Sequence, residues 1–172
     1  MRSRVGRGTR FSISAPGRVI CEDGNASFVV GSLSDGDLKR LSGAYVVILI
    51  ENHEARKFIS NVLSNWGVVT SEASSIRELL LIEASSDRVI DAFIVGMLSG
   101  GDADMLEAIK SVRKFAGRDV VSAVVGFERS ETWFARQCVD GIFPLAFPVS
   151  SVDLCQIILG GVDENRILEG NS

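Results

Sequence analysis

The chain of 172 residues is 46% hydrophobic and 23% charged, with a formal net charge of −4. This composition is typical of a globular protein, and the length suffices for one buried core with additional chain. The slightly acidic balance gives no reason to expect a nucleic-acid partner, and no apolar run approaches the roughly 20 residues of a membrane span.

The nucleophilic and metal-binding side chains are few. The cysteines Cys21, Cys138 and Cys155 are odd in number and widely spaced, which favours reduced thiols over a disulfide framework or a zinc site. The single histidine, His53, leaves little scope for imidazole chemistry. We therefore expect a cytoplasmic protein without a metal or another cofactor.

The N-terminal 16 residues combine arginines and glycines with a short amphipathic run. Gly6 and Gly8 permit a tight turn, and apolar and polar residues then alternate up to Pro16, which predicts a half-buried strand. Residues 3–16 resemble the end of the ATP-binding domain of sensor histidine kinases, where a Ser-x-x-Gly-x-Gly-Thr/Ser-x-Phe segment leads into the last strand. Residues 1–16 are interpreted as a remnant of such a domain, without an ATP site, or as a disordered leader.

A linker is predicted at residues 17–43, where Gly, Ser and Asp recur. From residue 44 a regular alternation begins. The continuous apolar run from Tyr45 to Ile50 is typical of a strand that is buried on both faces. Apolar residues at helical spacing then extend from Phe58 to Trp66, and Gly67 ends this helix.

The alternation continues to the C-terminal part of the chain. Further strands are predicted at 68–70, 92–95, 120–125 and 142–143, and further helices at 75–83, 104–115, 130–138 and 150–159, before a polar tail at 163–172. Strands that alternate with helices predict an α/β fold with a parallel sheet covered on both faces. The size suits the flavodoxin-like winding, five strands in the order 2-1-3-4-5, whose site lies at the carboxyl ends of the strands.

Residues 44–162 resemble a response-regulator receiver (CheY-like) domain. A receiver carries an acidic pair after strand 1, a phosphoryl-accepting Asp after strand 3, a Ser or Thr after strand 4 and a Lys-Pro after strand 5. The carboxylates hold Mg²⁺, which together with the lysine neutralises the charge of the phosphoryl group. The hydroxyl group then binds the new phosphate.

This chain departs from the receiver pattern at each of those positions. After the first strand Glu51 is the single acid, and its partner in the pair is Asn52 or, with a shift of one residue, Ile50. Gly96 stands where the phosphoryl-accepting Asp is expected, and Gly126 where the hydroxyl group is expected. The resemblance therefore implies a site that has lost its nucleophile.

The segment after the fifth strand departs in the same direction. Phe147-Pro148 matches the Lys-Pro segment of the family, with an apolar ring in place of the lysine. The expected site is smaller and more apolar than that of a receiver, it holds no Mg²⁺, and it contains no catalytic residue. The resemblance implies a degenerate receiver, a pseudo-receiver, within a hybrid sensor histidine kinase of a two-component phosphorelay.

Such a module is not an enzyme and would act through protein–protein contacts. The implied partners are the kinase domains of the same polypeptide, another receiver or regulator protein, or a second copy of the chain, with no membrane contact. Trp133 and Phe134, on the predicted fourth helix, are either an exposed anchor of this interaction face or part of the core.

Two alternatives remain open from the sequence. A degenerate receiver can sense a small ligand such as a cyclic dinucleotide, whose phosphates would bind scattered cations, here Arg113, Lys114, Arg118, Arg129 and Arg136. Alternatively, the chain is a phosphorylatable receiver that is misaligned here. In that case Asp102 or Asp104 would be a displaced acceptor, although both are typical of a helix start.

Overall fold

The computed structural model describes residues 2–3, 9–10, 20–22, 25–27, 33–85, 87–96, 98–99, 101–126, 141–146 and 149–170. The chain divides into two compact units, Met1–Ser32 and Leu33–Ser172. The first unit contains two short antiparallel strand pairs, which are β1 (Arg2–Ser3) with β2 (Thr9–Arg10) and β3 (Ile20–Glu22) with β4 (Asn25–Ser27). The predicted strand before Pro16 lies outside the described residues.

The second unit begins before residue 44, with helix α1 (Asp35–Leu41). The Oγ atom of Ser34 accepts a hydrogen bond from the backbone N–H of Asp37 at 3.1 Å and caps the helix. Leu41 is fully buried in the core of this unit. Helix α1 lies within the segment 17–43, for which the recurring Gly, Ser and Asp predict a linker. A seven-residue helix with so few apolar residues shows no periodicity that would indicate it in the sequence.

A parallel sheet forms the centre of the second unit. Its strands are β5 (Tyr45–Leu49), β6 (Val69–Ala73), β7 (Ala92–Gly96), β8 (Val121–Gly126) and β9 (Ile142–Ala146). They are ordered β6-β5-β7-β8-β9. Counted within this unit the order is 2-1-3-4-5, so the predicted flavodoxin-like fold is confirmed.

Helices cover the two faces of this sheet. They are α2 (His53–Asn65), α3 (Ile76–Ser85), α4 (Asp102–Ala116) and α5 (Ser151–Gly170). Val46 and Ile48 pack on one face with α2 and α5, whereas Val47 and Leu49 pack on the other face with α3 and α4. Among the described residues no helix is both long and apolar enough to span a bilayer.

The last helix is longer than its sequence pattern predicts. A helix at 150–159 and a polar tail from 163 were expected, but α5 continues to Gly170. Val162 and Asn165 are both buried, so the continuation packs against the unit although it carries many polar residues. The predicted helix at 130–138 lies outside the described residues.

Candidate functional site

The carboxyl edge of the sheet brings the ends of β5 and β7 together. These strands are paired in parallel from Val46 with Ala92 to Leu49 with Val95. Continuing this register by one residue places Ile50 beside Gly96. Doubly wound sheets bind their ligands at this edge, so the pair lies where the candidate site is expected.

The side chain of Ile50 fills the space over Gly96. A Cβ atom placed on Gly96 would lie 3.1 Å from Cγ1 and 3.2 Å from Cγ2 of Ile50, closer than ordinary van der Waals contact. Ile50 itself is only 4% exposed. A side chain at position 96 would therefore require this isoleucine to shift by a few tenths of an ångström.

Glu51 is held by the loop that follows β7. Its Oε1 atom accepts hydrogen bonds from the backbone N–H of Ser99 at 3.0 Å and from the Ser99 Oγ at 2.9 Å. The carboxylate is thus turned toward neutral donors, and the position before it is the apolar Ile50. Mg²⁺ is bound in proteins through one or two carboxylates, and the Oε1 atom of this single carboxylate already accepts two hydrogen bonds from Ser99, so these residues fit a Mg²⁺ site poorly.

Asn52 serves as the N-cap of α2. Its Oδ1 atom accepts a hydrogen bond from the backbone N–H of Ala55 at 2.9 Å, and anchors the first turn of the helix. Of the two residues considered as the partner of Glu51, Ile50 therefore lies against Gly96, and Asn52 is engaged in capping. The pairing register between β5 and β7 determines which of the two residues lies against Gly96, and the sequence of a single strand does not show that register.

An arginine that the sequence analysis did not single out supports this strand end. The guanidinium group of Arg56 donates to the carbonyl oxygen of Ile50, and its Nε lies 3.5 Å from the Oε2 of Glu72 on β6. Arg56 and Ser60 are one helical turn apart on α2. In the sequence, only this spacing of Arg56 and Ser60 and the presence of an acid, Glu72, in a short predicted strand could have indicated that the three side chains interact.

Glu72 is ionised readily in this setting. Burial alone would raise the pKa of the Glu72 carboxyl. The hydrogen bond from Ser60 Oγ (2.7 Å), the hydrogen bond and charge of Lys57 and the charge of Arg56 outweigh burial and hold this pKa below its usual value. The network therefore stabilises the end of β5 electrostatically rather than supplying an acid for catalysis.

The other predicted site positions are described only in part. Gly126 ends β8, where it pairs with Ala146 at the end of β9. Phe147 and Pro148, which follow directly, lie outside the described residues, as do Trp133 and Phe134. The roles assigned to these four residues stay predictions.

The cations considered for phosphate binding do not gather at the carboxyl edge. Arg113 and Lys114 lie in the last turn of α4, which is at the opposite edge of the sheet. Arg118 donates there to the carbonyl oxygen of Ile90, just before β7. Arg129 and Arg136 lie outside the described residues. In the part of the chain that the structure describes, no group of three or more His, Cys, Asp or Glu side chains is arranged to hold a metal ion.

No protein-family model and no curated protein sequence matches the chain. Solved structures do match. A response regulator receiver domain protein from Clostridium thermocellum is 19% identical, with 73% of this chain and 98% of that chain covered at a TM-score of 0.62. A response regulator receiver protein from Sinorhizobium medicae WSM419 is 13% identical, with 72% and 97% covered at a TM-score of 0.60.

A third match comes from a protein complex. It is a co-crystal structure of a histidine phosphotransfer signaling protein from Saccharomyces cerevisiae and the receiver domain of its downstream response regulator, 14% identical, with 69% of this chain and 88% of that chain covered at a TM-score of 0.52. At these identities the likeness concerns the fold. The second unit of this chain therefore has the fold of CheY-like receiver domains.

Proposed function

We propose that the chain is a pseudo-receiver of a hybrid sensor histidine kinase, and that it regulates two-component phosphorelay signalling through protein–protein contacts without being phosphorylated itself. The observation that carries this proposal is the packing of Ile50 over Gly96. The hybrid-kinase context is supported by the resemblance of residues 3–16 to the end of a kinase ATP-binding domain.

Phosphoryl transfer to a receiver needs a carboxylate nucleophile and cations around the transferred group. Gly96 has no side chain, and a Cβ atom at that position would lie 3.1 Å from the apolar side chain of Ile50. Glu51 is bound to Ser99. Among the described residues at the ends of β5 and β7, Gly96 offers no acceptor and Glu51 is the single acid.

A misaligned receiver would need another acceptor close to the end of β7. Among the described residues, the acids that follow Gly96 most closely are Asp102 and Asp104, and both belong to the first turn of α4. The strand pairing supports placing Gly96 at the position of the phosphoryl-accepting Asp, because Gly96 is the last residue of β7, directly after the Val95 that pairs with Leu49. The chain would then present one constant surface instead of a phosphorylation-dependent one.

The partners that fit this role are signalling proteins, namely the kinase domains of the same polypeptide or another receiver or regulator. The yeast receiver domain that was solved with a phosphotransfer protein supports a partner of this kind. In such a complex this domain would bind the partner through its receiver fold, and the phosphoryl group would stay on the partner.

Intact-mass spectrometry tests the absence of phosphorylation directly. The protein is incubated with acetyl phosphate and Mg²⁺, beside a receiver that has an acceptor aspartate as the control for the reagent. We expect an adduct of about 80 Da, one phosphoryl group, on the control only. An equal adduct on this chain that peptide mapping assigns to an Asp or Glu would overturn the proposal.

A further inference from the structure

Helix α3 is attached to the rest of its unit by few buried side chains. Of the ten residues of α3, Leu79 and Glu83 are buried, whereas α2 buries four of its thirteen residues. Ile76 and Ile82 are partly buried against the same core cluster as Leu79. One of the two buried side chains that attach α3 is therefore a carboxyl group.

Glu83 lies at the contact between α3 and α4. It is 7% exposed, and carboxyl side chains are almost never buried to this extent unless they are paired with a cation. Its Oε1 and Oε2 atoms accept hydrogen bonds from the hydroxyl group of Ser111 on α4, at 3.4 Å and 3.3 Å. The single hydrogen of that hydroxyl group is thus shared between two oxygen atoms.

No cation pairs with this carboxyl group in the part of the chain that the structure describes. Arg113 on α4 pairs with Asp119, and Glu72 on β6 pairs with Arg56 and Lys57. The other titratable or charged side chains on α3 and on the elements around it form no ion pair with Glu83 either and do not shift its pKa; they are Tyr45, Arg77, Glu78, Asp87, Arg88, Asp104, Glu107, Lys110 and Lys114. The hydroxyl group of Ser111 is therefore its polar partner among these residues.

Burial dominates the ionisation of Glu83. Taking an ionised carboxyl group out of water is costly, and one neutral donor offsets only part of that cost. Burial raises the pKa of Glu83 above its ordinary value of 4.5, and the hydrogen bond from Ser111, which favours the ionised form, lowers this pKa by less. The protonated form of Glu83 thus suits the contact between α3 and α4 better than the ionised form.

The protonation state of Glu83 changes the free energy of this contact. Well below pH 4.5 the carboxyl group is protonated whether or not α3 is attached, so no charge has to be buried. As the pH rises through the folded pKa, the attached helix has to hold a buried charge, whereas a detached helix exposes that charge to water. The attachment of α3 is therefore strongest in acid and weakest above the folded pKa.

We propose that Glu83 makes the attachment of α3 to α4 sensitive to pH, so that α3 is held tightly while this carboxyl group is protonated and opens more often once it is ionised. Local opening of this kind is favoured in a segment with few buried contacts, as in α3. The proposal does not depend on the pseudo-receiver function, because Glu83 and Ser111 lie outside the candidate site.

Amide hydrogen exchange on the full chain measures the opening of α3. Its protection factors in Glu83→Gln are divided by those of the unaltered protein at each pH, so that effects of pH common to both proteins cancel. This ratio should rise at least about threefold between pH 4.5 and about pH 7.5, because the glutamine carries no charge at either pH. Ser111→Ala should lower the protection factors of α3 more at the higher pH, where the lost donor served an ionised acceptor.

A second carboxyl variant controls for the removal of one negative charge. Glu107→Gln, on the exposed side of α4, should leave the protection factors of α3 at about pH 7.5 equal to those of the unaltered protein. A ratio for Glu83→Gln that does not rise with pH, or an equal gain of protection in Glu107→Gln, would overturn the proposal. If Glu83→Gln fails to fold, Glu83→Leu should show the same rise, and a constant ratio in that variant would count against the proposal in the same way.

Discussion

The side chain of Ile50 lies against the position that a Cβ atom of residue 96 would occupy, so Ile50 and Gly96 pack together at the ends of neighbouring strands. The shortest approach of a Cβ atom at position 96 to Ile50 would be 3.1 Å. An aspartate at 96 would bring a carboxylate against a buried isoleucine, which is unfavourable without rearrangement. The two departures from the receiver pattern thus depend on each other structurally.

A double-mutant cycle measures this dependence. Gly96→Val should destabilise the protein by about 1–3 kcal/mol through overpacking, and Ile50→Ala by about 2–4 kcal/mol through loss of buried methyl groups. The double variant should lose at least about 1 kcal/mol less than the sum, because the new side chain fills the vacated space. Urea unfolding gives the free energies, and simple additivity would contradict direct packing.

The N-cap of α2 offers a second test near the same site. Asn52→Ala should cost about 1 kcal/mol of unfolding free energy because the Ala55 N–H loses its acceptor. Asn52→Asp should retain most of the stability, since aspartate also accepts this hydrogen bond. Asn61→Ala, on the exposed side of the same helix, is the control and should cost nothing. A loss in Asn52→Ala no greater than in the control would argue against the cap.

Two adjacent glycines in α5 should respond in opposite ways to alanine. A Cβ atom on Gly161 would lie 2.0 Å from the carbonyl oxygen of Asp91, whereas nothing lies within 4 Å of one on Gly160. Gly160→Ala should therefore stabilise the protein by about 0.5–1 kcal/mol through helix propensity. Gly161→Ala should destabilise it by about 1–3 kcal/mol, because α5 must shift away from the sheet.

Thermal unfolding of both glycine variants compares them under one condition. The melting temperature should rise in Gly160→Ala and fall in Gly161→Ala. An equal rise in the melting temperatures of both variants would contradict the close approach of Gly161 to the carbonyl oxygen of Asp91.

The lowered pKa of Glu72 predicts a defined pH dependence. Because the pKa of this carboxyl in the folded protein lies below its ordinary value of 4.5, its contribution to stability is present above pH 4.5 and is lost as the pH falls through the folded pKa. Glu72→Gln should therefore cost up to about 1 kcal/mol at pH 7. The difference from the unaltered protein should shrink as the pH is lowered below 4.5 through the folded pKa.

Urea unfolding at pH 7 and in acid measures this difference. Glu107→Gln, on the exposed side of α4, is the control for the removal of one carboxylate and should cost little stability at pH 7. A cost of Glu72→Gln that does not decrease as the pH is lowered below 4.5 would show that the charge of Glu72 is not what stabilises the protein.

Local patterns in the sequence were enough to determine the sheet. The apolar run around Val46 to Ile50 indicates a strand buried on both faces, and helical stripes between such runs require parallel strands with helices on both sides. The replacement of the expected Asp by Gly96 is likewise readable from the sequence, because it depends only on the position of one residue at the end of one strand.

The neighbours of these residues were decided only by the tertiary structure. Whether Ile50 or Asn52 lies against Gly96 depends on the register between β5 and β7, and no periodicity within one strand records that register. The ion pair between Arg40 and Asp163 joins two helices that are far apart in the chain. Periodicity reports which side of an element is buried, whereas the packing of distant segments determines what it is buried against.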